Sequence, residues 1–393
     1  MESIIITIVG FFLIFIIYQK KVKRIDSSTV VLLLYLLVSI FGIDYYKNHP
    51  NYSLSINGSL YLILICAILF YPILVDNSVY RQQVKLKFNI YLKITIAIYA
   101  ITCILVCHDY YQLLYKLLYL GDWSELKTLA YLSGVDSHGG FLYVLSRYYV
   151  GAFRHLIVII GFLILCSGDK NPIFGYILMA LGLLPELLYC LLIVYRGGLL
   201  VLGLDIICIF LIVKRWITKS NLKVLYVVIV LLITSGAVLG FIMTLSRFDD
   251  SASESLLSYF GQSMVEYNYG IASRIENNAG GKYFFSYFLG LSKDEIWKDS
   301  LFSIKTFEGQ ALDTMVGVFL VDFGFIGCFL FALIVAYIFS NIFKSNSPLL
   351  AKLYLFVFYT DFLILGAFHA SPGIALNWII ALLTFCYIKY FVR

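Results

Sequence analysis

Charge is scarce in this sequence. Of its 393 residues only 13% are Asp, Glu, Lys or Arg, 61% are hydrophobic, and the mean hydropathy is +0.91. Soluble chains carry about 25% charged residues, so this one cannot cover a water-facing surface and a soluble fold is excluded. Long polar stretches are missing too, which leaves no room for a separate soluble domain with its own core. The metal and redox signatures are absent. The eight cysteines, Cys66 to Cys386, form no CxxC and lie in or beside apolar runs, where a cysteine is commonly a small packing hydrophobe. The five histidines show no HExxH or other paired-ligand spacing. The adjacent Asp249 and Asp250 lack the one-residue gap of a DxD metal site. No metal and no cofactor is expected. The first apolar run has no basic residues ahead of it, so it does not read as a cleaved signal peptide; Lys20, Lys21, Lys23 and Arg24 follow it instead.

What is abundant is apolar sequence in lengths that cross a bilayer. A transmembrane helix needs about 20 mostly apolar residues, and the chain divides into about eleven such runs by that measure. The expected fold is therefore all-α, a single polytopic transmembrane domain over 1–393. Basic residues set its orientation. With the N-terminus outside, the inner segments collect Lys20 to Arg24, Arg81, Lys85, Lys214, Arg215 and Lys344 with few acids beside them, which places the C-terminus inside. The net charge of +6 is explained by those loops and calls for no nucleic acid.

Two outer segments are long. In 108–148, leucines at 113, 114, 117 and 118 recur at helical spacing, the pattern of an amphipathic helix on the outer interface. The second, 245–314, is an outer loop of a size more often functional than connecting. Neither internal repeat nor half-to-half symmetry is visible, which speaks against inverted-repeat carriers.

Ionisable residues inside a span are costly unless they face a cavity or a partner. Glu186 follows Pro185, which removes a donor and frees the carbonyl near Leu181, so Glu186 lines a wet cavity or meets a neighbouring helix. For Asp205, Asp322 and Asp361, helix–helix hydrogen bonding is the commoner role, and Arg154 can snorkel from a span end. Arg196 opens a span in Tyr195-Arg196-Gly197-Gly198, where a forked guanidinium beside exposed amides can cradle an anion. Arg247 and Arg274 lie on the same outer side, and three arginines with aromatics between them suit a phosphate head bearing sugars.

Three stretches carry a resemblance. Tyr195-Arg196-Gly197-Gly198-Leu199-Leu200 looks like an Arg-Gly hairpin opening a span. Tyr259-Phe260-Gly261-Gln262 through Tyr267-Asn268-Tyr269-Gly270 looks like a large-loop aromatic pattern. Asp313-Thr314-Met315 through Asp322-Phe323-Gly324-Phe325-Ile326-Gly327 looks like a Thr-then-Asp-Phe-Gly start of the following span. In this order and placement the chain resembles the O-antigen polymerases of the Wzy type, oligosaccharide repeat-unit polymerases similar to the GT-C class of membrane glycosyltransferases.

The resemblance implies a multi-pass protein of the bacterial inner membrane with one large periplasmic loop and its active site facing the periplasm. It implies transfer of a growing glycan from undecaprenyl diphosphate to an incoming undecaprenyl-diphosphate-linked oligosaccharide. Membrane lipids are further partners, and a chain-length regulator protein is a partner the resemblance allows. The diphosphate leaving group needs cationic donors, for which Arg196, Arg274 and Arg247 are the candidates. The acceptor hydroxyl needs a base or a positioning acceptor, for which Glu266 stands slightly ahead of Glu276; taken singly, each is more often a solvated loop charge. Related ligases pair arginines with a histidine, and here His138 and His369 qualify by side alone. A lipid-linked oligosaccharide flippase or carrier, and an O-antigen ligase, are the competing readings.

Overall fold

The computed structural model of the chain describes residues 1–75, 86, 88–119, 141–167, 172–192, 196–217, 219–248, 260–273, 275, 278–290, 314–369 and 373–392. Among them all regular structure is helical. In chain order the helices are α1 (Glu2–Val22), α2 (Ser27–Asn48), α3 (Ile56–Val75), α4 (Ile90–Tyr119), α5 (Phe141–Ser167), α6 (Pro172–Leu192), α7 (Arg196–Val213) and α8 (Lys219–Phe248). Then come α9 (260–266), continued by a π-helix at Tyr267–Ala272, α10 (Ser286–Leu289), α11 (Met315–Lys344), α12 (Leu349–Gly366) and α13 (Ile374–Phe391).

Nine of the helices among the described residues are long and apolar enough to cross a membrane, and shorter apolar helices at Gly197–Val213 and Asn221–Gly236 accompany them. The outward faces agree with that. Between its charged ends, α1 exposes the large apolar side chains Ile5, Val9, Phe12, Leu13 and Ile17, a stripe at helical spacing, while Thr7, Phe11 and Tyr18 turn inward. Water would not tolerate so long a continuous apolar stripe; hydrocarbon does. The leucine-rich 110–119 stretch is helical, as an unbroken extension of α4 rather than a separate element. Residues 120–140 of that segment lie outside the described residues.

The chain forms two compact units. The first comprises Met1–Ser78, Ser253–Asn346 and Tyr359–Ile380. Its core stacks Phe11 of α1, Tyr35 of α2 and Phe70 of α3, with ring centroids 5.5 Å (Phe11–Tyr35) and 4.8 Å (Tyr35–Phe70) apart. Each buried tyrosine hydroxyl needs an acceptor in a dry interior. Tyr35 donates to the Leu363 carbonyl at 3.0 Å and Tyr359 to the Leu69 carbonyl at 2.7 Å. At the α1–α2 turn, Asp26 caps α2 through the Thr29 amide and takes the Tyr18 hydroxyl at 2.8 Å.

The second unit comprises Val79–Ala252, Ser347–Phe358 and Ala381–Arg393. Helices α5 and α6 pack along their length and α4 lies against both. Pro185 cannot bond back to Leu181, and the freed Leu181 carbonyl accepts the Cys103 thiol of α4 at 3.3 Å. Asn221 of α8 donates to the Leu165 carbonyl of α5 at 3.1 Å.

Helix α11 is broken. Gly324 has φ 66° and ψ −179°, a conformation essentially restricted to glycine, and it divides the apolar run into two half-helices. In a membrane such a break survives only where other protein groups satisfy the freed backbone. Here residues 279–284 do so. The amides of Ala279 and Gly281 donate to the carbonyls of Val321 and Asp322 at 2.8 and 3.1 Å. The amides of Tyr283 and Phe284 donate to the Asp322 carboxylate at 2.9 and 2.5 Å. The Phe284 ring sits among Phe319, Phe323, Phe331 and Trp378. Asp322-Phe323-Gly324 thus has a structural role: it breaks a helix and clasps a loop to the break. The clasp joins a helix to loop backbone, where helix–helix bonding was expected.

Candidate functional site

Glu266 lies in the first unit, at the end of α9. Gly261 brings this helix against α2: a Cβ there would fall on the Phe41 carbonyl and the Gly42 amide, so glycine alone permits the approach. Beyond Glu266 the helix widens into the π-turn, with the Ser273 amide reaching the Asn268 carbonyl five residues back at 3.2 Å. The Asn268 side chain anchors that turn. It donates to Ser3 Oγ, Ser59 Oγ and the Ser55 carbonyl at 2.9, 3.0 and 2.9 Å, and its oxygen accepts the Ser55 amide at 2.6 Å. Tyr267 donates to the Gly58 carbonyl at 3.2 Å. The π-turn is therefore fixed to the starts of α1 and α3.

That anchoring sets Glu266 against α2 and the 49–55 loop. The carboxylate, 5% exposed, accepts the Tyr45 hydroxyl at 2.5 Å and the Tyr52 hydroxyl at 3.4 Å. Expected as a solvated loop charge, it is a buried, hydrogen-bonded group. Tyr269, three residues on, stacks on Tyr52 with centroids 3.7 Å apart and planes within 9°. His49 continues the row, 5.1 Å from Tyr52 and 4.3 Å from Tyr45. Its Nδ1 lies 2.9 Å from the Tyr45 carbonyl. Burial first, and then the Glu266 charge, raise the Tyr52 pKa, so its phenol keeps its proton. The arrangement can hold and orient a hydroxyl-bearing ring beside a carboxylate.

Tyr45, His49 and Tyr52 were not legible as site residues. Tyr45 and His49 stand one helical turn apart, a weak signal, and their link to Glu266 spans more than two hundred residues.

A second group lies in the second unit. Arg154 of α5 pairs with Glu186 of α6 at 2.9 Å and with Asp205 of α7 at 3.3 Å, and its Nη2 lies 2.9 Å from His155 Nε2. Arg154 thus joins three helices rather than snorkelling. Glu186 has the neighbouring-helix partner that was one of its two expected roles. In the first unit, His369 follows α12, with Nε2 3.4 Å from the Tyr283 hydroxyl and Nδ1 buried without a hydrogen-bond partner among the described residues. Burial lowers its pKa to about 4, which keeps the ring neutral.

The remaining candidates are placed only in part. Arg196 is the first residue of α7 and Arg247 falls in the last turn of α8, their side chains outside the described residues. Arg274, Glu276, His138 and the Asp249–Asp250 pair also lie outside them.

The helices define an all-α, multi-pass membrane protein. Comparison with known proteins finds no matching family model, no matching curated protein and no matching solved structure.

Proposed function

We propose that this chain is a GT-C-like membrane glycosyltransferase that polymerises lipid-linked oligosaccharide repeats at the periplasmic face of the bacterial inner membrane. In this reading all eleven long helices, α1 to α8 and α11 to α13, cross the membrane, with the N-terminus outside. That orientation puts Tyr45, Tyr52, Ser55 and the π-turn on the outer side and the Lys20–Arg24 cluster inside.

The observation that carries the reading is Glu266, a buried carboxylate hydrogen-bonded by Tyr45 and Tyr52 beside the stacked ring of Tyr269. In the reaction, the acceptor sugar's hydroxyl oxygen attacks the anomeric carbon of the donor glycan. The bond from that carbon to the diphosphate breaks, its electron pair leaves with undecaprenyl diphosphate, and the hydroxyl proton passes to a carboxylate. Glu266 takes or orients that proton, with Glu276 the second candidate. The growing charge on the diphosphate calls for cationic donors, the role for which the sequence marks Arg196, Arg274 and Arg247.

The test is polymerisation of purified lipid-linked repeats by the purified protein in lipid nanodiscs. Glu266→Gln should lower the rate by about a hundred-fold or more. A full ladder of glycan lengths from that variant removes Glu266 from the reaction, and single additions without a ladder by the unaltered protein point to a ligase. A carrier is favoured by one observation, the Arg154–Glu186–Asp205 charge group inside the span region. Translocation of lipid-linked repeats across proteoliposomes, without any change in glycan length, would establish that reading instead.

A further inference from the structure

The rings around Glu266 share a feature that the reaction does not require: their protons are already committed. A backbone carbonyl can only accept, so the 2.9 Å contact from His49 Nδ1 to the Tyr45 carbonyl puts a proton on Nδ1. In the neutral ring Nε2 is then an acceptor, and among the described residues no protein group occupies it. Tyr52 points its proton at the Glu266 carboxylate, and its oxygen, with the Tyr45 hydroxyl beside it, keeps a lone pair as an acceptor. Tyr45 does the same at 2.5 Å.

These rings form a row, Tyr45–His49–Tyr52–Tyr269, running from buried Tyr45 to half-exposed His49, Tyr52 and Tyr269. The ligand chemistry follows from these two properties. A partially exposed aromatic surface binds C–H faces, and an edge of acceptors binds a molecule rich in O–H donors. A pyranose ring has both. An anion is repelled by the carboxylate and meets the lone pairs of His49 Nε2 and Tyr52 Oη. A nucleobase would stack but would leave the acceptor edge mostly unmet.

We propose that His49, Tyr52 and Tyr269 form a sugar subsite, in which a glycan ring packs against the aromatic row and donates hydroxyl protons to His49 Nε2 and Tyr52 Oη. Glu266 acts there as a positioning residue, fixing the direction of the Tyr52 hydroxyl. The assignment rests on the glycan-polymerase reading for the origin of the sugar, and its test does not need turnover.

The experiment is saturation-transfer NMR on the full-length protein in nanodiscs. The probes are methyl glycosides of glucose, galactose, rhamnose and N-acetylglucosamine, with tetramethylammonium as the rival ligand for an aromatic cluster near a carboxylate. At least one glycoside should show transfer to its ring protons. Tyr52→Phe and His49→Phe, which keep the rings and remove the acceptors, should each weaken binding about five-fold, as loss of one hydrogen bond does. His49→Gln restores an acceptor near the Nε2 position and should bind more tightly than His49→Phe. Absence of transfer from every glycoside overturns the subsite. So does unchanged binding in both phenylalanine variants, or binding of tetramethylammonium in place of sugars. Sugar binding by a protein that makes no glycan ladder supports the subsite and discards the polymerase reading; a ladder without sugar binding does the reverse.

Discussion

The Asp322 carboxylate accepts the Phe284 backbone amide at 2.5 Å, two residues before α11 breaks at Gly324. One side chain therefore satisfies a loop that would otherwise bury bare amides. Asp322→Ala should leave the Tyr283 and Phe284 amides unmet and cost about 2–6 kcal/mol, at about 1–3 kcal/mol for each buried unsatisfied group. Asp322→Asn should fall between the two, because its amide nitrogen faces one donor with another. Thermal unfolding in detergent, followed by circular dichroism, orders the three proteins. Equal stability of Asp322→Ala and the unaltered protein would show that the clasp contributes nothing.

Arg154 faces two carboxylates within the second unit. Arg154→Met should therefore destabilise by about 3–5 kcal/mol, because the buried Asp205 carboxylate loses its arginine and keeps the His155 ring, 3.3 Å away, beside it. Glu186→Gln should cost less, since the Glu186 side chain is 33% exposed and water can replace its partner. The yield of monodisperse protein after graded heating reads the difference. The reverse order would show that the group is not organised around Arg154.

His369 gives the fold a pH dependence with a definite sign. Its pKa falls from near 6.5 in an unfolded chain to about 4 in the folded one. The unfolded state binds the extra proton first, so stability is lost as pH drops from about 6.5 to about 4 and is constant above that window. The full effect is about 3 kcal/mol at 1.36 kcal/mol per unit, reduced here because the residue is partly exposed. Melting temperatures of His369→Gln should vary less than those of the unaltered protein between pH 7 and pH 4. Parallel curves would rule out His369 as the source.

Gly261 sits where α9 meets the backbone of Phe41 and Gly42. Gly261→Ala should push α9 away from α2 and lengthen the Tyr45–Glu266 hydrogen bond, with a larger effect on polymerisation than on global unfolding. A variant with normal glycan synthesis would show that the close approach is not needed to set Glu266.

Composition excluded a soluble fold, because a chain with so little charge cannot cover a surface in water, and apolar runs of bilayer length determined that it is a helical membrane protein. Local chemistry was legible as well. Pro185 was expected to free the Leu181 carbonyl, and that carbonyl accepts the Cys103 thiol. Gly324 stands in the Asp322-Phe323-Gly324 motif, yet its broken helix was not visible in an apolar run that reads as continuous. Glu266 was singled out from its place in an aromatic pattern, while its burial was missed because hydropathy treats 245–314 as loop. Only the tertiary structure supplied Tyr45, His49 and Tyr52 as its neighbours. Hydrogen bonds and ring stacking act over a few ångströms, and residues brought that close from positions far apart in the chain leave no periodicity or spacing in the sequence. Arg154 shows the same division. One sequence marks it as a charge near a span end, and the packing of α5, α6 and α7 decides that two carboxylates meet it there.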